Sequence, residues 1–390
     1  MGRAKQEAAA GIAFTIERAT LGEAIGAVTK AVSSKNTIPI LTNVLLKAEG
    51  DHLFVAGTNL DQQLTITVPA DIEQGGTFTV NAAALHELAR RVAPDAPVKF
   101  KVEEGKHAAV VTSGRSRFSL PTLPVEDFPE LYSVRAKDGA ALHTIEIVGS
   151  ILADLIDRVD FAISSEETRW YLNGVYAHTV DRGGETVLRF VATDGHRLAR
   201  VDTTHATRLE FSERGVIIPT KAIQLIASLA RDAGDGKVTL EISPTLISIA
   251  APGASIISKL IDHTFPDYVR VIPTVFAREV NTATIALAQA ARRVAALSLE
   301  RGRRVKLDFQ AAHVAITLDN GEGGTAADEV DIELTGEPLA IGFNSNYLAE
   351  ILSHAGGDTV RIQLGADQGQ PAVISDKSGD GLYVLMPMRI

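Results

Sequence analysis

Apolar residues recur along this chain of 390 residues with two periods, and the two alternate in an order that is repeated three times. A spacing of i, i+3, i+4, i+7 marks an amphipathic helix, and strict alternation marks a half-buried strand. Leu85, Leu88, Ala89 and Val92 take the helical spacing, and Val98, Phe100 and Val102 then alternate with lysines. The unit returns as Ile223, Ile226, Ala227 and Ala230 before Val238, Leu240 and Ile242. It returns again as Leu348, Ile351, Leu352 and Ala355 before Val360, Ile362 and Leu364. Each helix follows an apolar strand that closes on Asn81, Pro219 or Asn344. Aligned on Leu85, Ile223 and Leu348, the units lie 138 and 125 residues apart, too far for solenoid repeats and right for whole domains.

A second helix opens each unit, through Leu21, Ile25, Val28 and Val32, through Ile151, Leu155, Ile156 and Val159, and through Leu287, Ala291, Val294 and Leu297. The remainder reads as short strands and turns, among them the alternating Leu64, Ile66 and Val68 and a glycine-rich hairpin at 321–324. The pattern predicts an α+β protein of three similar domains, each with two helices and antiparallel sheets. The expected segments are a flexible extension at 1–11 and domains at 12–132, 142–270 and 271–390, with linkers near 132–141 and 273–279.

Composition narrows the class. Hydrophobic content of 45% and charged content of 22% are ordinary for folded domains. The absence of cysteine excludes disulfide scaffolds, thiolate metal sites and cysteine nucleophiles, and fits a reducing cytoplasm. No apolar run approaches a membrane span, the first ten residues lack a signal-peptide core, and Gln6 stands where a myristoylation signal wants serine or threonine. Net charge is -10, and no domain is basic: 11 basic against 14 acidic side chains in 12–132, 13 against 17 in 143–270, and 10 against 15 in 271–390. Any cationic surface must therefore come from arrangement. Arg90, Arg91, Arg231, Arg292 and Arg293 fall at helix ends, with Arg301, Arg303 and Arg304 in the following turn. Dipole compensation explains each one singly, but not their recurrence at equivalent places.

One stretch concentrates candidate chemistry. Asp194, Gly195, His196 and Arg197 are consecutive between two apolar strand-like runs. An aspartate and a histidine can act as orienter and base of a hydrolase, yet no GxSxG elbow accompanies them. The chain also lacks HExxH, a calcium loop, a P-loop and a GxGxxG after a strand, so no metal or cofactor is expected. The alternative is recognition, with a turn-forming aspartate beside a binding histidine. The C-terminus adds to this: an apolar strand at 382–385 is followed by Met386-Pro387-Met388-Arg389-Ile390, which holds two of the three methionines. Methionine is polarizable and adaptable, suited to peptide-binding walls, and an apolar end is expected to be docked.

The motifs SSKNTIPILTNVLL (33–46), RFSLPTLPVEDFPEL (117–131), RWYLNGV (169–175), VATDGHRLA (191–199), FPDYVRVIP (265–273), FNSNYLAEIL (343–352) and YVLMPMRI (383–390) resemble the bacterial β sliding clamp family, the β subunits of DNA polymerase III. The resemblance runs from about residue 12 to 390. It implies a non-catalytic processivity factor: a head-to-tail homodimeric ring of six domains encircling double-stranded DNA without sequence preference, helices lining the hole. The family's partners are the replicative polymerase α subunit, the clamp loader and repair polymerases, which insert a short linear motif into a pocket between the second and third domains. Carried onto this chain, that pocket is Leu172, Thr193, Gly195, His196, Arg197, Leu198, Pro266, Arg270, Val271, Tyr347, Val384, Met386, Pro387, Met388 and Arg389. Arg197 and Arg270 are expected to bind the peptide's polar groups. Lys35, Arg169 and Tyr171 match DNA-side residues, and Phe118 and Leu120 face Leu297 across the dimer contact. Ala296, Val269 and Ile390 depart from the residues common in the family.

Overall fold

The computed structural model describes residues 11–32, 37–129, 142–206, 215–298, 304–376 and 379–390. The chain forms two compact units, one from Met1–Leu142 with Gly236–Lys259, the other from His143–Asp235 with Leu260–Ile390.

In the first unit, helices α1 (Arg18–Val28) and α2 (Ala82–Arg91) pack together. Leu21, Ile25 and Val28 of α1 and Leu85, Leu88 and Ala89 of α2 are buried, as the helical spacing predicts. Asn81 ends the strand Gly76–Asn81 and caps α2, its Oδ1 accepting from Ala84 N at 3.0 Å. Arg18 closes the other end, donating to the carbonyls of Ala89 and Arg90 at 2.9 Å each. The strand His52–Thr58 carries Gly57, where a Cβ would stand 2.5 Å from Val28 Cγ1, so only glycine lets the chain approach at this point.

One sheet of this unit runs Asp71–Gln74, Ile12–Ile16, Val98–Val102, Ala108–Ser113, Ser116–Pro121. A second contains Lys237–Ile242, Leu246–Ala251, Ala254–Lys259, Gln62–Pro69, His52–Thr58, Asn43–Glu49 and Gly76–Asn81, in that order. Its central joint brings Ala254–Lys259 against Gln62–Pro69, antiparallel, with Ile256 opposite Leu64. That joint is why Gly236–Lys259 groups with residues nearly two hundred positions earlier.

In the second unit, α3 (Gly149–Asp157) packs on α4 (Thr220–Ala233) and α5 (Thr284–Ala295) on α6 (Ser345–His354). The predicted faces hold with two shifts. Leu152 is buried in α3 where Ile151 is only half-buried, and α5 ends before Leu297, which stays 46% exposed. One sheet spans the unit: Val216–Pro219, Gly174–Arg182, Glu185–Thr193, Arg197–Thr203, Gly381–Leu385, Ala372–Asp376, Thr359–Leu364, Arg278–Ala283, Thr325–Thr335, His313–Asp319, Arg304–Phe309, Leu339–Asn344. Here too two repeats join edge to edge, Arg197–Thr203 against Gly381–Leu385, with Leu198 opposite Val384.

Candidate functional site

The site grows from the turn between Glu185–Thr193 and Arg197–Thr203, whose last pair is Thr193 and Leu198. Thr193 Oγ1 donates to Arg197 O at 2.7 Å and accepts from Gly195 N at 3.1 Å. Asp194 Oδ1 accepts from the backbone N of His196 and Arg197 at 2.8 and 3.0 Å. Gly195 has φ of 88°, and a Cβ there would meet Arg169 Nη1 at 2.6 Å. Asp194 is thus the turn's staple. Its carboxylate faces backbone and Arg197, while the exposed His196 ring lies 6.2 Å from the Tyr347 ring. The two do not form a base and its orienter. Among the described residues no group of three or more His, Cys, Asp or Glu is placed to hold a metal ion.

Below the turn lies an apolar cluster of Leu172, Val191, Leu198, Ile217, Phe265, Tyr268, Val373 and Val384. Leu172, Leu198 and Val384, expected together, do meet here. The C-terminal residues are docked beside them: Met386 N donates to His196 O at 3.0 Å and Met388 N to Gly342 O at 2.8 Å, while Arg304 Nη1 reaches Arg389 O at 3.2 Å. Met386 is 41% exposed, Pro387 and Met388 are half-buried, and Arg389 is exposed. On the segment after Phe265, the side chains of Pro266, Arg270 and Val271 are exposed, and Arg270 Nε pairs with Asp267 at 2.7 Å. The result is an apolar floor with a mixed rim.

Arg197 is held from within the chain. It is 8% exposed, and its donors are engaged inside the chain: Nε to Asp194 at 3.1 Å, Nη1 to Glu350, and Nη2 to Phe161 O at 2.5 Å. Its guanidinium also lies over the rings of Tyr347 at 4.3 Å and Phe161 at 5.1 Å. A buried cation must be paired, and this pairing makes Arg197 a rivet between the turn and α6. A second rivet lies nearby, where Arg158 Nη2 meets Asp376 at 2.7 Å and Phe161 stacks on His354 at 4.6 Å.

Of the three DNA-side candidates, Arg169 abuts this turn and Tyr171 packs against the apolar cluster. Arg169 makes two bonds to Glu166, at 2.7 and 2.6 Å, and one to Asp194 O at 3.3 Å, holding the Glu166 carboxyl below the usual carboxylate range. Tyr171 stacks on His263 at 4.8 Å, with the exposed Trp170 edge-on to both. Lys35 lies outside the described residues, as do Arg301, Arg303 and the expected linker at 132–141. Phe118 and Leu120 sit on Ser116–Pro121 in the first unit, and Leu297 follows α5 in the second.

Sequence reasoning passed over Phe161 and Glu350, which hold Arg197, and Tyr268. The last lay inside a motif already singled out, where only its exposed neighbours Pro266, Arg270 and Val271 drew attention. Tyr268 OH contacts His178 Nε2 at 3.0 Å and receives Arg189 Nη1 at 3.2 Å. Burial, with the Arg189 charge beside it, pushes the His178 imidazole from 6.5 down to about 4. The unfolded chain therefore binds a proton here that the folded chain does not, between those two values. Stability from this group is full above pH 6.5 and is lost as pH falls towards 4. Denaturant midpoints should fall more steeply across that window for the unsubstituted chain than for His178→Gln; equal slopes would show that the imidazole is not held neutral.

Three family models match successive stretches of the chain: the DNA polymerase III beta subunit N-terminal domain at 12–132, central domain at 146–267 and C-terminal domain at 269–389. A beta sliding clamp of Caulobacter vibrioides is 41% identical over 378 residues, 97% of this chain and all of that protein. The crystal structure of the Caulobacter crescentus beta sliding clamp superposes with a TM-score of 0.92 at 40% identity, covering 98% of this chain and 100% of that one. The sliding clamp (DNA polymerase III subunit beta) of Bartonella birtlesii, solved bound to griselimycin, gives 0.90 at 37% identity, covering 97% and 100%.

Proposed function

The chain belongs to the DNA polymerase III beta subunit family, the bacterial sliding clamps, and we propose that it works as a head-to-tail homodimeric ring around duplex DNA. It has no catalysis of its own and tethers the replicative polymerase, the clamp loader and repair polymerases through the groove at Leu172, Leu198 and Val384. The repeats divide at 12–132, 142–270 and 271–390.

One observation carries the ring. Each repeat has a strand that follows its second hairpin strand, Gln62–Pro69, Arg197–Thr203 and the first part of Thr325–Thr335, and a last strand, Ser116–Pro121, Ala254–Lys259 and Gly381–Leu385. Within the chain the first repeat's inner strand joins the second repeat's last strand, and the second's inner strand joins the third's last strand. Among the described residues the third inner strand, over 325–331, pairs on one side alone with His313–Asp319, and Ser116–Pro121 pairs on one side alone with Ala108–Ser113. The same joint made between two chains satisfies both edges, and made twice it closes a ring. Arg117 on one edge suits Asp328, Glu329 and Asp331 on the other.

An acidic chain, net -10, binds phosphate only through local arrangement. Arg90 and Arg91 end α2, and Arg292 and Arg293 end α5. The DNA-side candidates Lys35, Arg169 and Tyr171, together with these arginines, are proposed to make backbone-directed, salt-sensitive contacts of the kind that let a ring slide. Loaded by a clamp-loader ATPase, the protein should stay on closed circular DNA through a sizing column and be lost when the circle is cut. Equal retention on circular and linear DNA would mean a scaffold that never encircles its substrate. Griselimycin, found on the Bartonella relative, is a peptide-like probe for the groove.

A further inference from the structure

The groove's outer wall is a short exposed segment, and something must hold it. Phe265 and Tyr268 are 7% and 6% exposed and belong to the apolar cluster, while Pro266, Arg270 and Val271 around them face out. Phe265 is fixed by ring contact, lying 4.8 Å from Tyr176 and almost parallel to it at 2°. Tyr268 is fixed by polar contact. Directly opposite one another on three neighbouring strands stand His178, Arg189 and Asp202. Arg189 binds both oxygens of Asp202, Nε to Oδ1 at 2.6 Å and Nη2 to Oδ2 at 2.8 Å, and gives its remaining arm to the Tyr268 hydroxyl. His178 Nδ1 meets Thr179 O at 3.2 Å, which makes Nδ1 the protonated nitrogen and leaves Nε2 to accept from Tyr268 OH. Every donor in this chain then has one acceptor, running from Arg189 through the tyrosine to the histidine and on to the Thr179 carbonyl.

We propose that Tyr268 is a positioning residue for peptide capture: the row His178–Arg189–Asp202 grips its hydroxyl and thereby sets where Pro266, Arg270 and Val271 stand along the groove. The inference rests on the groove reading above. Arg189 and Asp202 satisfy each other without the tyrosine, so the row is a preformed socket on the sheet and the Tyr268 hydroxyl is the plug carried by the wall. Preorganising a wall before the ligand arrives raises affinity without adding a contact, because the ordering is already complete.

Tyr268→Phe removes one oxygen and leaves the ring in its cluster. Titrated with griselimycin at pH 7, it should bind roughly fivefold to tenfold more weakly, because the hydroxyl's bonds to Arg189 and His178 are both lost. Amide exchange should rise over 268–272 while the strand Gly381–Leu385 keeps its protection, whereas a merely structural role would loosen both. His178→Ala should also weaken binding, and the double variant should cost less than the sum of the two, because they share the bond between His178 and Tyr268. His178→Gln, which keeps an acceptor, should recover most of the affinity. Unchanged griselimycin affinity in Tyr268→Phe beside a binding parent, or fully additive losses in the double variant, overturns the positioning role and leaves the groove standing. A parent chain that does not bind griselimycin overturns the groove, and the positioning role with it.

Discussion

Leu297→Asp is expected to sediment as a monomer under conditions where the parent chain sediments as a dimer, with its secondary structure unchanged by circular dichroism. Leu297 follows the end of α5 and is 46% exposed, whereas Leu287, Ala291 and Val294 of the same apolar run are buried. A large apolar side chain left out of its own helix's core is one that a partner can cover. Its position favours the partner proposed above: Arg293, four residues earlier, pairs with Asp328 at 2.7 Å, which ties the end of α5 to the open edge at 325–331. The edge proposed to face it carries Phe118, itself 37% exposed. Covering the exposed half of a leucine is worth roughly half of the 1.5–3 kcal/mol for the whole side chain, and an aspartate in its place adds the cost of an unpaired buried charge. Together these weaken association by about a hundredfold or more. Ala296 beside it offers little compensating surface. An unchanged mass would refute this contact.

The sequence disclosed faces but not what covers them. Helical spacing placed Leu85, Ile223 and Leu348 on buried faces, where all three are found, because a helix's period is a local property. Alternation likewise puts His178 on one face of its strand with Tyr176, but says nothing of the segment at 265–271 that crosses that face ninety residues later and turns a polar row into a buried socket. The joints between repeats were illegible for the same reason. Ile256 meets Leu64, and Leu198 meets Val384, across separations of nearly two hundred residues, and no periodicity carries such a pairing. At the turn, residue types suggested a reactive acid and imidazole. Only the hydrogen bonds show Asp194 turned inward to two backbone amides, and Arg197 consumed by Asp194, Glu350 and the Phe161 carbonyl. Resemblance supplied the groove's expected membership where pattern could not.

Deleting Met386–Ile390 should have the opposite signature: griselimycin affinity falls at least about a hundredfold while the dimer persists. The strand Gly381–Leu385 is hydrogen-bonded on both sides, to Arg197–Thr203 and to Ala372–Asp376, so the sheet survives the cut. What is lost is local. Met386 no longer binds the His196 carbonyl and Met388 no longer binds that of Gly342. With them goes the apolar rim that Met386, Pro387 and Met388 raise beside Leu172, Leu198 and Val384. Two truncated hot-spot side chains at about 1.4 kcal/mol or more each already give that factor. Neither Leu297 nor Phe118 touches this segment in any described hydrogen bond or ring contact, which is why sedimentation should not change. Leu297→Asp, conversely, should bind griselimycin as a monomer with undiminished affinity, since every groove residue belongs to one chain. If the shortened protein kept its affinity, the C-terminal segment would be a mere strand terminus and the groove would have to lie elsewhere. If Leu297→Asp lost affinity together with its partner, the site would be completed across the dimer, contrary to its construction within one compact unit.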